Sequence, residues 1–363
     1  MANNTNTMST GWLAFFKQER KPAHFLQSFF TVKRGGVYYG NTIEVDIKRF
    51  NEAVAIVVKR GTGANLNDAD QITTKEFEPP AYGEAFPTDV SDLLERTLGV
   101  DPYTDSEMEY TSKLLGRLMD YFMRGYEMIV RGIELQASQI LQTGRLSLVD
   151  SDGNERFEAD FRPKANHFPT VTTAWGADGY NPIEDLRPLI ERIRGDALLN
   201  PDMLIFGERA IGHFITNDTV RGFLDDRRVN IAEIRPRQNE TGGTFYGYVW
   251  IGAYLLEMWT YSEGYTDPEN ETFTKYVQDD KVIVMASRGR LDRLSAKVAL
   301  PLGPDPRVAA LMPGRLVEAT EDIDITPNLY PTPDGRQIMA EVLSRTLLAP
   351  IDIDSFGCLD TQP

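Results

Sequence analysis

The chain has 363 residues, enough for about two domains, and its 41% hydrophobic and 25% charged residues are typical of a globular protein. Its formal net charge of −16 argues against free, sequence-specific nucleic-acid binding and against anionic membranes, because both repel an acidic surface. Its apolar runs are far shorter than the roughly 20 residues of a membrane-spanning helix, and the single cysteine, Cys358, excludes an internal disulfide. Residues 1–10 have neither the basic nor the apolar part of a secretory signal, so we expect synthesis in a reducing cytoplasm.

An aromatic-rich segment follows these polar first residues. Its apolar members are Trp12, Leu13, Phe15, Phe16, Phe25, Leu26, Phe29 and Phe30. A surface this apolar has to be buried against something. Two alternatives are open: a helix docked on the chain's own core, or an arm that packs on a neighbouring subunit.

Residues 42–83 predict an extended hairpin. Residues 42–48 alternate apolar and polar side chains as a half-buried strand does, a second run covers 52–58, and 72–77 predicts the returning strand. The stretch FEPPAYG at 77–83 closes the hairpin. An isolated two-stranded hairpin is marginally stable and its edges need pairing or cover, so we expect another chain to cover it.

One helix over 106–144 is the longest predicted element, about 57 Å at 1.5 Å per residue. Ser106 and Glu109 form a capping-box pattern at its start, and Gly144 suits a helix end in the left-handed conformation. Its apolar stripe recurs at three- and four-residue steps and consists of Leu115, Leu118, Phe122, Tyr126, Ile129, Ile133, Ala137 and Ile140. Three glycines disfavour the helix, and close approach by the backbone of a neighbouring segment would explain them: Gly116, Gly125 and Gly132.

After the long helix, 145–149 and 156–161 predict a hairpin around the turn 150–154. Residues 175–290 alternate helix and strand, which predicts an α/β unit inserted into a longer framework. The other predicted helices are 89–98, 182–194, 209–215 and 218–224, the other strands are 203–206, 243–251, 254–260, 281–286, 296–300, 315–319 and 338–352, and 262–274 is a polar loop. We expect the last strand to reach back over the long helix.

The sequence contains no pattern that predicts catalysis. The histidines lie far apart without paired ligands, so no zinc site is expected: His24, His167 and His213. The stretch 150–154 resembles the start of a calcium loop, but Phe161 stands where the required Glu belongs. The glycines of 59–63 lack phosphate-loop spacing. We therefore predict no catalytic residue, no cofactor and no metal.

The order of these parts resembles that of tailed-phage major capsid proteins with the Hong Kong 97-like fold, specifically the lambda-type protein E family. The similar passages are 29–45, 57–82 with its VVKRG and FEPPAY, and 339–354 with its APID. In layout the likeness covers most of the chain. It implies an α+β fold with an N-terminal arm, an extended β-hairpin loop, a long spine helix, a peripheral β-sheet domain and an inserted α/β axial domain.

The resemblance also implies domain boundaries. In chain order the implied parts are the arm 1–40, the extended loop 41–88, the peripheral domain 89–174 with its spine helix 106–143, the axial domain 175–290, and the closing peripheral strands 291–363. The axial domain is expected to meet its copies around five- and six-fold positions.

The implied function is structural and not enzymatic: the major capsid protein of a tailed double-stranded DNA bacteriophage. Its hexamers and pentamers would close an icosahedral shell around the genome, in a virion assembled in the host bacterial cytoplasm. An acidic inner wall would not trap the packaged DNA. The expected inter-subunit contact residues are Phe15, Phe16, Phe29, Phe30, Lys59, Arg60, Phe77, Pro79, Pro80, Tyr82, Arg227 and Arg228.

Several partners are implied besides copies of the chain. Because arm and hairpin use all residues before the long helix, we expect a separate scaffolding protein. A portal, a decoration or cement protein on the exterior, and DNA bound without sequence specificity complete the set, with no membrane. Lysines lie on the hairpin, but lambda-type relatives rely on non-covalent contacts, so we expect no covalent crosslinks: Lys48, Lys59 and Lys75.

Two alternatives to the capsid function are open. An encapsulin-like compartment has the same fold and would co-purify with a cargo enzyme instead of DNA. A cytoplasmic α/β enzyme would form a small oligomer with a concave pocket. If the hairpin contacts a neighbouring subunit, deletion of 59–75 should leave a folded monomer that builds no shells.

Overall fold

The computed structural model describes residues 22–38, 43–49, 71–89, 107–149, 155–225, 237–266, 272–296, 298, 325–332 and 337–363. Within these ranges the predicted long helix is confirmed as α1 (Glu107–Thr143), whose 37 residues are about 56 Å long. The predicted stripe faces the core, since Leu118, Phe122 and Ile133 are all buried. The helix ends at Gly144, whose φ of 67° is the left-handed conformation that glycine adopts readily.

Two of the three helix glycines have a close neighbour, but it is a side chain and not the predicted backbone. A Cβ atom at Gly125 would lie 2.8 Å from Cγ2 of Val342, and one at Gly132 would lie 2.9 Å from Cε1 of Tyr82. Gly116 differs, because a Cβ there would meet nothing within 4 Å. The long helix therefore packs directly on the strands that carry Val342 and Tyr82.

Those strands belong to a five-stranded sheet. Its order is β1-β14-β16-β15, and β4 also pairs with β16. Its strands are β1 (Thr31–Tyr38), β4 (Ala81–Asp89), β14 (Leu291–Ala296), β15 (Ile325–Pro331) and β16 (Gln337–Pro350). The expected crossing of the last long strand over the helix is confirmed, since β16 packs on α1.

A second sheet, of six strands, has the order β17-β13-β7-β10-β9-β8. Its strands are β7 (Met203–Phe206), β8 (Arg237–Gln238), β9 (Thr244–Ile251), β10 (Tyr254–Thr260), β13 (Lys281–Met285) and β17 (Phe356–Asp360). Three helices cover one face and share a core with it: α2 (Pro182–Ala197), α3 (Glu208–Thr216) and α4 (Asp218–Asp225). The other face contributes Ile205, Ile283 and Cys358 to the core around α1, so the sheet lies between two layers.

The position of β17 corrects one expectation, namely that residues 291–363 would complete only the first sheet. Beyond β16 the chain turns at Ile353–Ser355 and returns as β17, which pairs with β13 of the second sheet. Phe356 and Leu359 of β17 are buried in the two separate cores, one on each side of the sheet. The second sheet is therefore completed by residues from outside the predicted insert.

Three two-stranded hairpins complete the described fold. They are β2 (Ile43–Arg49) with β3 (Gln71–Phe77), β5 (Arg145–Val149) with β6 (Glu155–Asp160), and β11 (Gly264–Thr266) with β12 (Phe273–Lys275). The first two confirm predicted hairpins. The third hairpin corrects the prediction of a loop at 262–274. Its strands have only three residues each, which is too short for an alternation of apolar and polar side chains to be recognised.

The remaining differences concern boundaries and undescribed ranges. The strand expected at 296–300 overlaps β14 only at Ala296, where β14 ends, and residues 297, 299 and 300 lie outside the described residues. The helix expected at 89–98 is not found at its first position, since Asp89 still belongs to β4. The elements expected at 52–58 and 315–319, and the rest of 89–98, lie outside the described residues.

Candidate intersubunit surfaces

The twelve expected contact residues divide into two groups. Half lie outside the described residues, and their contacts stay predictions: Phe15, Phe16, Lys59, Arg60, Arg227 and Arg228. The other half lie at the N-terminal segment and at the junction of the extended hairpin with the first sheet. The structure thus brings Phe77, Pro79, Pro80 and Tyr82 together in one region and Phe29 with Phe30 in another.

The N-terminal segment, defined here as residues 22–30, is docked on the chain's own core. Phe30 is buried, and Phe29 is half-buried with its ring 5.2 Å from the ring of Phe25. The backbone N–H groups of Leu26 and Gln27 donate to the carboxylate of Glu134 on α1, at 2.7 and 3.0 Å. For this segment the first alternative, docking on the same chain, is therefore confirmed.

The hairpin junction is anchored by aromatic and proline packing. Phe77 ends β3 with its ring 5.3 Å from that of Phe161, Pro79 is buried and Pro80 is half-buried. Beyond this anchor, β2 and β3 pair with each other through seven residues each, about 23 Å of strand. Among the described strands neither pairs with a third strand, so their outer edges offer N–H and C=O groups to a neighbour.

Tyr82 on β4 belongs to a polar network centred on Gln136 of α1. The Gln136 side-chain amide donates to the Tyr82 hydroxyl at 2.6 Å and to the Thr346 carbonyl at 3.0 Å. The Gln136 side-chain oxygen accepts the N–H of Leu348 at 3.2 Å. Burial raises the pKa of Tyr82 above its ordinary value, so the hydroxyl stays protonated. Through Gln136, this network connects α1 with both β4 and β16.

An exposed apolar strip, which sequence reasoning missed, lies on β9 and β10. It consists of Tyr248, Trp250 and Leu255, whose side chains are 55%, 45% and 43% exposed. Trp250 is paired directly with Leu255 across the ladder, and Tyr248 is two residues away on the same face. Val249 and Leu256 point into the opposite, helix-covered core. The missed signal is that aromatic residues occupy the alternate positions where a solvent-facing strand carries polar ones.

Ring contacts connect the apolar strip with the N-terminal segment. The centroid distances are 5.2 Å from Phe25 to Trp259, 5.1 Å from Trp259 to Phe245, and 5.3 Å from Phe245 to Tyr248. These separations are typical of favourable aromatic pairs. The position of the N-terminal segment therefore bears on the packing of the strip.

The buried histidine has a structural role. His167 places Nδ1 3.1 Å from the Phe356 carbonyl and Nε2 2.8 Å from Asp196. Burial favours a raised pKa for Asp196, but hydrogen bonds from Lys164 and His167 outweigh it and leave the pKa lowered. The described residues include no group of three or more His, Cys, Asp or Glu side chains able to hold a metal ion.

A long helix laid across one sheet, a second sheet flanked by helices and a projecting hairpin define the class of Hong Kong 97-like capsid proteins. Residues 14–356 match the family model of phage major capsid protein E, and the chain belongs to that family. It is a phage major capsid protein, whose copies assemble into the shell of the virion. No helix in the described ranges is long and apolar enough to cross a membrane.

This chain is similar to several solved structures. A prophage capsid protein from Escherichia coli CFT073 is 16% identical, with a TM-score of 0.62 and 99% of both chains covered. A phage-related protein from Bordetella bronchiseptica RB50 is 10% identical, with a TM-score of 0.48 over 99% of this chain and 98% of that one. An encapsulin complex from Synechococcus elongatus PCC 7942 is 12% identical, with a TM-score of 0.43 over 94% and 88%.

A comparison with curated protein sequences finds no match.

Proposed function

We propose that copies of this chain form the hexamers and pentamers of an icosahedral shell around the double-stranded DNA of a tailed phage. The observation that carries this proposal is the extended hairpin, anchored at Phe77 and Pro79 but with the outer edges of β2 and β3 not paired to another described strand. A neighbouring copy is the natural cover for such edges. Residues 175–290 would form the axial part around the symmetry axes, with 1–40, 41–88 and the peripheral parts as assigned above.

Further partners belong to this proposal. A separate scaffolding protein would guide assembly, a portal would occupy one vertex and a decoration protein would bind the exterior. DNA would be enclosed without sequence-specific contacts, because a net charge of −16 disfavours them. The chain would act as a structural protein without catalytic activity, and particles would assemble in the host cytoplasm without covalent crosslinks between copies.

Two contact surfaces follow. The first is the extended hairpin with its junction, which carries Lys59 and Arg60 between β2 and β3 and Phe77, Pro79, Pro80 and Tyr82 at its base. Of the other expected contact residues, Phe15 and Phe16 belong to the arm and Arg227 and Arg228 to the axial part, whereas Phe29 and Phe30 pack against the chain's own core. The second is the apolar strip, because an exposed row of two aromatic side chains and a leucine is typical of a protein–protein contact. Both surfaces would be covered in the assembled shell.

Shortening of the hairpin tests the proposal. Replacing residues 50–70 by an Asn-Gly turn keeps both described strands and removes the segment with Lys59 and Arg60. We expect a folded subunit by circular dichroism that yields no shells with scaffold present, measured by sedimentation and electron microscopy. The matched control replaces 151–154, between β5 and β6, by the same turn and should still assemble. Intact shells from the first variant would contradict the proposed role.

The content of the particles separates the capsid from the compartment alternative. Particles isolated from cells producing phage should release double-stranded DNA when opened. A single cargo enzyme in place of DNA would favour the encapsulin-like alternative. A denaturing gel of the same particles should show one band for the free chain, whereas a ladder would show covalent crosslinks.

A further inference from the structure

One buried carboxylate has no role in the contacts proposed so far. Glu134 lies on α1 and is 0% exposed. Its two oxygens accept the backbone N–H groups of Leu26 and Gln27, at 2.7 and 3.0 Å. The Gln27 side chain donates to the carbonyl of Val130, one helical turn before Glu134, at 3.3 Å. The N-terminal segment is therefore fastened to the long helix through one ionisable side chain.

The side chains around Glu134 come from several elements of the fold. Tyr261, beyond β10, and Tyr276, beyond β12, carry the titratable groups that interact with the carboxylate. Arg131 on α1 has its carbonyl 3.4 Å from the Tyr276 hydroxyl. Arg293 on β14 donates to the Gln27 side chain at 3.4 Å, so it contacts the same segment.

Burial of an unpaired negative charge is unfavourable. Burial raises the pKa of Glu134 from 4.5 to about 7, although the hydrogen bonds from the N–H groups of Leu26 and Gln27 lower it. Among the causes of the shift in the described structure, none is a lysine or arginine side chain. The carboxyl group therefore exchanges its proton near neutral pH.

We propose that Glu134 is a proton-operated latch on residues 22–30: proton uptake by Glu134 favours the docked segment, and ionisation favours its opening. When the segment opens, water reaches the carboxylate and the unpaired charge is no longer buried. The latch goes beyond the assembly role, since it makes the position of the N-terminal segment respond to pH. Through the ring contacts from Phe25 to Tyr248, the state of the latch also bears on the apolar strip.

The direction of the pH dependence follows from the Glu134 pKa in the docked and in the open state. The docked state has a Glu134 pKa near 7 and the open, solvated state has the ordinary value of 4.5, so protons bind the docked state more tightly. Docking is therefore strongest below the lower value and weakens as pH rises through the higher one. Between pH 5.5 and pH 8 the docking equilibrium should change about 25-fold.

Hydrogen exchange measured by mass spectrometry tests the latch on the full chain. Protection of a peptide spanning residues 22–30 is measured at pH 5.5, 7 and 8 and corrected for the intrinsic pH dependence of exchange. In the wild type we expect protection of the Leu26 and Gln27 amides to be at least tenfold higher at pH 5.5 than at pH 8. A peptide from β13 reports whether the core stays folded.

Two variants complete the design. Glu134→Gln keeps the shape but cannot ionise, so its protection should vary by less than threefold over this range. Glu127→Gln is the matched control, because Glu127 lies on the same helix in a half-exposed ion pair with Arg131 at 2.9 Å and should leave the wild-type profile unchanged. A wild-type profile without pH dependence, or an equal dependence in Glu134→Gln, would overturn the proposal.

If Glu134→Gln does not fold, the wild type alone still tests the latch. An infrared titration of the carboxyl C=O band should show one protonated carboxyl group that ionises near neutral pH. Ionisation of all carboxyl groups below pH 5.5 would contradict the latch.

Discussion

A single missing methyl group allows the long helix to lie directly on β16. At Gly125 an added Cβ would approach Val342 to 2.8 Å, which is closer than real Cβ atoms come to their neighbours. Val342 is a β-branched residue held in a strand, so it has little rotamer freedom with which to move away. Glycine at this position therefore lowers the helix propensity but allows the helix and the strand to pack closely.

Alanine substitutions separate these two effects. Gly125→Ala should destabilise the fold by about 1–3 kcal/mol, the usual cost of overpacking. Gly116→Ala, in the same helix but with open space around the new Cβ, should stabilise it by up to about 1 kcal/mol. Denaturant unfolding of the two variants gives both values. Stabilisation by both substitutions would show that α1 does not pack on β16 as described.

Residue-scale features differ in how far sequence predicts them. The helix glycines indicated a close neighbour because glycine is unfavourable inside a helix, and Gly125 and Gly132 do have one, although it is a side chain and not the predicted backbone. Glu134 gave no such signal. It occupies an ordinary helical position, and its burial depends on backbone groups more than a hundred positions earlier in the chain. No local pattern contains that contact.

At the scale of elements, the apolar strip separates folding from association. Its side chains lie on the face of β9 and β10 that is opposite the helix-covered core. Substitutions in the strip are therefore expected to change the subunit surface more than that core. A surface of this kind loses affinity when a charge is introduced, because the charge must be desolvated in the contact.

Substitution of Trp250 tests the strip. Trp250→Asp should leave the unfolding free energy within about 1 kcal/mol, since Trp250 is 45% exposed, yet abolish shell formation. Trp250→Phe keeps an aromatic surface and should still assemble. Shell yield by sedimentation and subunit stability by denaturant unfolding are measured on the same preparations. Normal shells from Trp250→Asp would show that the strip faces solvent in the particle.

Elements with strong periodicity were predictable and strand partners were not. The strand 254–260 has the predicted bounds, and α1 begins and ends within one residue of prediction. Membership of β17 in the second sheet was missed because pairing with β13 joins segments more than seventy positions apart. Alternation fixes the faces of a strand but contains no information about its neighbours.

At the scale of the whole molecule, β17 holds the two cores together. Leu359 packs under the helices, whereas Phe356 and Cys358 pack towards α1. Burial raises the pKa of the Cys358 thiol to about 12. The thiol is therefore both inaccessible and protonated at neutral pH while β17 stays paired.

Thiol labelling at pH 8 measures detachment of this strand. Native Cys358 should react at least 100-fold more slowly than in the unfolded chain, because only the thiolate is nucleophilic. A Thr172→Cys variant in a Cys358→Ser background provides an exposed thiol of ordinary reactivity for comparison. Equally fast labelling of both thiols would contradict the burial of Cys358.

The order of synthesis gives the second sheet a further property. Its central strands leave the ribosome well before its edge strand β17, which pairs with β13 more than seventy positions earlier in the chain. Contacts at such separations form slowly because long loops must close first. Until residue 360 is available, β13 presents a bare hydrogen-bonding edge. On a polysome, where many nascent copies are crowded together, that edge is open to pairing with a strand of another unfinished subunit.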